Sequence, residues 1–225
     1  MFWIWMTEPK SEADARIYSK PEVVSKYDLD FDSGCKQPIK EIPTIEIHIS
    51  EDQSQNLLTD NLIAPGITGI VINRKIRSIL QENNVSNIEY YNSILIDEIM
   101  GKKETDYKIG NIIGLIKCVD FEKSELVIDD HDGSIQFIDK LVLKYDLLKD
   151  IKLPIFRLGE FSQIILVHNA IKNDILFFKV LFDFVIACEI AFSNYNSDNK
   201  NRWYHLFGLG IEKIPNIDIS KLIKP

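Results

Sequence analysis

The sequence predicts an α+β fold: a mixed or antiparallel sheet with a weak internal strand–helix–strand repeat and a few packed helices. Three observations predict it. Short β-rich runs outnumber helical ones, a strand–helix–strand pattern occurs twice, and an Asp-Gly turn joins two β-rich runs. With 225 residues and 45% apolar content the chain is long enough to bury a sizeable core.

The elements follow in order. Met1-Phe2-Trp3-Ile4-Trp5-Met6 is apolar but too short for a secretory signal, and no basic residue precedes it, so it is expected to open a strand. Pro9, Pro21, Gly34, Pro38 and Pro43 then punctuate short elements. Residues 1–60 carry twelve acids and six bases, a net of −6 out of −8 for the chain. This acidic segment is expected to pack on a main body, residues 61–225, as one compact unit. Within it, Asp28-Leu29-Asp30-Phe31-Asp32 alternates acid and apolar residues, and on a strand the three acids would share a face. Such a face suits a basic partner, or equally a solvated edge that discourages aggregation. Ile45-Glu46-Ile47-His48-Ile49 reads as a half-buried strand.

From Gly69 the signals sharpen. Gly69 to Ile72 reads as a strand. Asn73 caps a helix from Arg74 to Glu82 with Ile76, Ile79 and Leu80 on one face, and Ile88 to Ile96 reads as the next strand. The second copy places a strand at Ile164 to Val167. A helix follows, opened by His168-Asn169, with Ala170, Ile171 and Ile175 on one face, and Leu176 to Val180 is either a strand or its continuation. Between the copies, Ser124 to Ile128 and Ser134 to Ile138 form a hairpin turned by Asp129-Asp130-His131-Asp132-Gly133. Leu141 to Leu143 extends the sheet, and Leu153 to Gly159 is a strand with Pro154 tolerated at its start. Ile175 to Phe192 is apolar but interrupted by Lys179, Asp183 and Glu189, which argues for a buried element and against a membrane span. Asn194 to Asn201 reads as a loop, and Trp203 to Phe207 is expected to dock on the body.

Chemistry-bearing motifs are sparse. Cys35, Cys118 and Cys188 are far apart, with no metal-type spacing and no disulfide framework, which fits a reducing cytoplasm. The Asp129, Asp130, Asp132 and His131 cluster lacks the calcium-loop frame and its later Glu, so turn geometry accounts for it first and partner contact second. His48, His131, His168 and His205 have no motif-spaced partners, and no nucleophile turn or phosphate-cradling glycine loop occurs. Arg157 is expected to pair with an acid such as Glu160. No catalytic, cofactor or metal residues are assigned. A pI near 5.1 disfavours nucleic acid and anionic membranes and favours a basic protein partner.

Three stretches carry a family resemblance. The first is Val71-Ile72-Asn73-Arg74-Lys75-Ile76-Arg77-Ser78-Ile79-Leu80 with Ile88-Glu89-Tyr90-Tyr91. The second runs from Tyr107 to Asp120, ending Cys118-Val119-Asp120. The third is Pro154-Ile155-Phe156-Arg157-Leu158-Gly159 followed by Ile164 to Val167. Over about residues 69–180 the chain resembles an immunity-protein family of bacterial polymorphic toxin systems, formerly known only as a domain of unknown function. The resemblance implies a strand–helix–strand, a Cys-Val-Asp strand, a Phe-Arg-Leu strand and a second helix. It also implies a protein that binds and neutralises a cognate toxin in interbacterial competition, with no catalytic residues. Asp28, Asp30, Asp32, Asp129, Asp130 and Asp132 are the candidate contacts for a basic toxin. The alternatives are a small hydrolase with a site built from dispersed His and acids, which requires a polar pocket around His131 or His168, and a scaffold subunit that self-associates through its C-terminal segment.

Overall fold

A computed structural model describes residues 2–5, 14–177 and 184–186. Lys179, Asp183, Glu189, Cys188, His205 and the segments Asn194 to Asn201 and Trp203 to Phe207 lie outside the described residues, as do residues 178–180. In chain order the elements are β1 (Phe2–Trp5), α1 (Glu22–Lys26), β2 (Ile45–His48), β3 (Asn61–Ala64), β4 (Ile67–Ile72), α2 (Arg74–Glu82) and β5 (Ile88–Asp97). Then come β6 (Lys102–Glu104), β7 (Lys108–Ile112), β8 (Leu115–Ile116), β9 (Glu125–Ile128), β10 (Ile135–Lys140) and α3 (Tyr145–Leu148). The last are β11 (Ile155–Leu158), β12 (Ile165–His168), α4 (Asn169–Phe177) and β13 (Phe184–Ile186).

Two mixed sheets and a separate hairpin result, so the fold is α+β. The first sheet runs β2-β5-β7-β4-β3 with β6 also on β5, and only β2 and β5 are parallel within it. The second runs β13-β1-β12-β11-β8, with β8 and β11 parallel. The pair β9-β10 stands apart.

The repeated pattern is visible in the pairing. In the first copy β4 and β5 both lie antiparallel to β7, which separates them. Later in the chain β12 and β13 both lie antiparallel to β1, which separates them in the same way, with β13 falling beyond the Leu176 to Val180 stretch expected to end the second copy. Each connecting helix buries its apolar stripe in one shared cluster. Ile76, Ile79 and Leu80 of α2 meet Ile171 and Ile175 of α4, with Trp3, Trp5, Ile72 and Val167 from the two sheets. Full burial of each such side chain contributes about 1.5–3 kcal/mol.

Local sequence explains the helix ends. The Asn73 carboxamide oxygen accepts from Ile76 N–H at 3.2 Å, and its nitrogen donates to Asp60 at 2.7 Å, so one residue caps α2 and ties it to the bend just before β3. Asn84 adopts φ 56° after the last turn, a left-handed conformation that Asn tolerates. At its C-terminal end α2 is bound to α4 by Asn83 Nδ2, which donates to Asp174 at 2.7 Å. The second helix starts at Asn169, whose side chain accepts from the Trp3 indole at 3.0 Å, while Lys172 Nζ lies 3.6 Å from the Trp3 ring centroid.

Several expectations are corrected. Asp28 to Asp32 is not a strand. It leaves α1 through Asp28 at φ 48° and continues as bends, although Leu29 and Phe31 still point into the core between the outward acids. Cys118 to Asp120 and Leu141 to Leu143 make one isolated bridge, Val119 to Leu143, in place of strands. Ala170 is exposed, whereas Ile171 and Ile175 of α4 are buried in the shared cluster.

Arg157 does not pair with Glu160. As a β11 residue with its side chain turned inward it is fully buried. It donates to the carbonyls of Ser162 at 2.7 Å, Thr68 at 2.8 Å and Phe31. Glu160 instead accepts from the N–H groups of Cys118 and Val119, both at 3.1 Å. Burial pulls the guanidinium down to about 10, and the charges of Asp32 and then Asp30 oppose that pull. The group stays cationic at neutral pH.

Arg157→Met removes the donors from three carbonyls that meet at the seam of the two sheets. It is expected to lower unfolding free energy by about 3 kcal/mol in urea titration. Asn73→Ala is expected to cost about 1 kcal/mol in the same assay through loss of the α2 cap.

Candidate partner-binding surface

The two acidic stretches rest on different cores. The Asp28–Asp32 loop is anchored by Leu29 and Phe31 in the cluster that holds Ile45, Ile47 and Ile109. The Asp129–Asp132 tip belongs to a hairpin anchored by Ile135 and Ile138 in the cluster with Phe156 and Leu166.

In the loop, Asp30 carries structural duties. Its carboxylate accepts from the N–H groups of Asp32 at 3.0 Å and Ser33 at 3.1 Å, and Gln37 closes the turn from the other side. A hydrogen bond between the Asp30 and Asp32 carboxyl groups divides their acidities. It is the largest influence on both, holding Asp30 below the usual carboxylate range and, with burial, pushing Asp32 above it. Asp28 is exposed beside them.

At the hairpin tip, Asp129 accepts from His131 N–H at 2.8 Å and from the Gln136 side chain at 2.5 Å. Asp132 accepts from Ser134 N–H at 2.8 Å, and those bonds hold its carboxyl below the usual range. Gly133 at φ 72° completes the turn. Turn geometry thus uses both oxygens of Asp129 and one of Asp132, and leaves Asp130, His131 and Asp132 exposed.

The apolar surface nearby was missed by reading charge alone. Among the described residues, Phe121, Val127, Ile128, Tyr145 and Leu147 are large, exposed apolar side chains within one 27-residue stretch that includes the hairpin (121 to 147). Adjacent exposed apolar residues in a run of alternating hydrophobicity are the signal that points to such a surface.

The catalytic alternative finds little to build on in the described residues. No group of three or more His, Cys, Asp or Glu is placed to hold a metal. Two open depressions of about 300 and 350 Å³ are lined by Lys20, Glu22, Glu46 and His48, and by Arg77, Gln81, Tyr90 and Lys108. Neither includes His131 or His168. His48 sits 3.1 Å from Glu98 on the exposed surface. The His168 ring packs edge-on against Phe2 and accepts from Ala170 N–H at 3.3 Å, and burial lowers its pKa. No described helix is long and apolar enough to cross a membrane.

A model of an immunity protein family (Imm11) matches residues 5–180. The match starts well before Gly69, where the recognisable motifs begin, and so takes in the acidic N-terminal segment. No curated protein matches the chain.

The cysteines give a check on this placement. Burial, with the nearby Glu160 charge, pushes the Cys118 thiol up to about 12, whereas Cys35 is exposed. Brief iodoacetamide treatment of the native protein at neutral pH is expected to alkylate Cys35 and spare Cys118 in peptide mass spectra. Equal labelling would contradict the packing around Cys118.

Proposed function

The chain belongs to the Imm11 immunity protein family, and from that premise we propose that it binds and neutralises a cognate bacterial toxin delivered in interbacterial competition. The family match over residues 5–180 carries the reading. In this reading the protein works in the cytoplasm of the producing cell, as one member of a polymorphic toxin system, and acts by occupation of the toxin and not by chemistry of its own.

The charge distribution supports a basic partner. The chain has 34 acids against 26 bases, and both candidate stretches present acids to solvent. Complementary charge accelerates encounter and is screened by salt. The groups proposed for that attraction are Asp28, Asp30 and Asp32 on one stretch and Asp129, Asp130 and Asp132 on the other, with Asp32 and Asp129 half-buried and the other four exposed. Turn-forming bonds hold the carboxylates of three of these six, Asp30, Asp129 and Asp132, in fixed positions, which reduces the ordering cost of a contact.

Co-expression with its cognate toxin is expected to restore growth to cells that the toxin alone kills. Failure to restore growth, together with no binding in vitro, would sink the proposal. For the contacts, Asp28→Asn with Asp32→Asn, and separately Asp130→Asn with Asp132→Asn, are expected to slow association severalfold at low salt and flatten its salt dependence, as measured by stopped-flow. A pair whose removal leaves the rates unchanged is not part of the contact.

A further inference from the structure

The hairpin β9-β10 is an incomplete sheet. Two strands alone are marginal in water and need a third strand or a packed layer. The β10 side has its layer, since Ile135 and Ile138 are buried in the core cluster with Phe2, Ile4 and Phe156. On β9, Leu126 packs against that cluster, whereas Val127 is 46% exposed and Ile128 is 43% exposed. Neighbouring strand residues point to opposite faces, so at this end of β9 each face carries an apolar side chain open to solvent.

The edge of β9 is open as well. Among the described residues its ladder partner is β10 alone. Asp129 N–H donates to the Ser134 carbonyl at 2.8 Å, toward β10. By the alternation of an antiparallel pair, the Ile128 and Leu126 amides then point away from β10, off the free edge. Two other edges differ: β2 is flanked by α1, and β8 is only two residues long. Exposed apolar edges are usually blunted by charges, proline, bulges or a covering element; the bulges of this pair fall on β10, and β9 carries no proline.

The surrounding charge defines what fits there. Residues 121–139 hold six acids, Glu122, Glu125, Asp129, Asp130, Asp132 and Asp139, against Lys123 alone, a net of −5. A complementary occupant is extended, apolar on alternate residues and rich in Lys or Arg between them.

We propose that β9 is a strand-addition site, where an extended basic segment of the toxin pairs with the Glu125–Ile128 edge, seats apolar side chains on Val127 and Ile128, and meets the acids of the hairpin. This rests on the toxin-binding reading and specifies its contact. Main-chain pairing supplies affinity in such a mode, and the side-chain contacts supply selectivity. The rim acids act on encounter rate and the two apolar residues on dissociation.

The test uses the full chain and its cognate toxin, made catalytically inactive by substitution. Amide exchange of the complex is expected to slow at Leu126 and Ile128 by at least about tenfold relative to the free chain. The double variant V127A/I128A is expected to bind at least about tenfold more weakly through faster dissociation, with its melting temperature and far-ultraviolet circular dichroism unchanged because both side chains are already exposed. If the toxin binds the wild-type chain but these amides are unprotected and V127A/I128A binds equally well, the strand-addition site is wrong and the immunity reading stands. If the toxin does not bind the wild-type chain at all, both are overturned.

Discussion

A single buried cation holds the seam of this molecule. Arg157 lies on β11 with none of its surface exposed, and its guanidinium joins three separate pieces of chain. It reaches Phe31 in the N-terminal loop, Thr68 in β4 of the first sheet and Ser162 in the turn that follows its own strand. A buried charge is costly unless it is hydrogen-bonded and balanced. The balance comes from Asp32 and Asp30, which lie in sequence more than a hundred residues away. The loop that presents acids to solvent is therefore also the loop that neutralises the core. Its position depends on the seam, and the exposed Asp28 is carried with it.

The second organising constraint is the pairing of two similar units through their helices. Each unit is a strand, a helix and a strand, split by a strand that arrives from elsewhere in the chain. In the first unit the splitting strand is β7, and in the second it is β1, the first element of the chain. Residues at the N-terminus thus complete a sheet built largely from residues beyond 150. That long-range pairing gives a physical reason for a family match that begins at residue 5 although the recognisable motifs begin near Gly69. The hairpin lies outside both units. With only one side packed it is free to serve an intermolecular contact without disturbing the core.

The sequence was informative where local rules decide structure. Asn73 before Ile76, Ile79 and Leu80 marks α2 to the residue, and Asp132-Gly133 marks the hairpin turn. It was silent where the deciding partner is remote. Alternation made Asp28 to Asp32 look like a strand, but the backbone there is bent by the Asp30 turn and held by Arg157 from the far end of the chain. Proximity in sequence made Glu160 the natural partner of Arg157, yet the turn points Glu160 at the Cys118 and Val119 amides instead. For the candidate surface, the acids were legible from composition. The exposed pair Val127 and Ile128 was not, because an apolar strand reads the same whether or not something covers it. Only the isolation of β9-β10 from both sheets distinguishes the two cases.

Under the proposed function this chain binds a basic toxin stoichiometrically, and titration calorimetry with an inactivated cognate toxin tests that proposal most directly. The expected result is a saturable one-to-one complex whose affinity falls as ionic strength rises, since the attraction between acidic and basic surfaces is screened. No detectable binding at any ionic strength, or binding indifferent to salt, would contradict it.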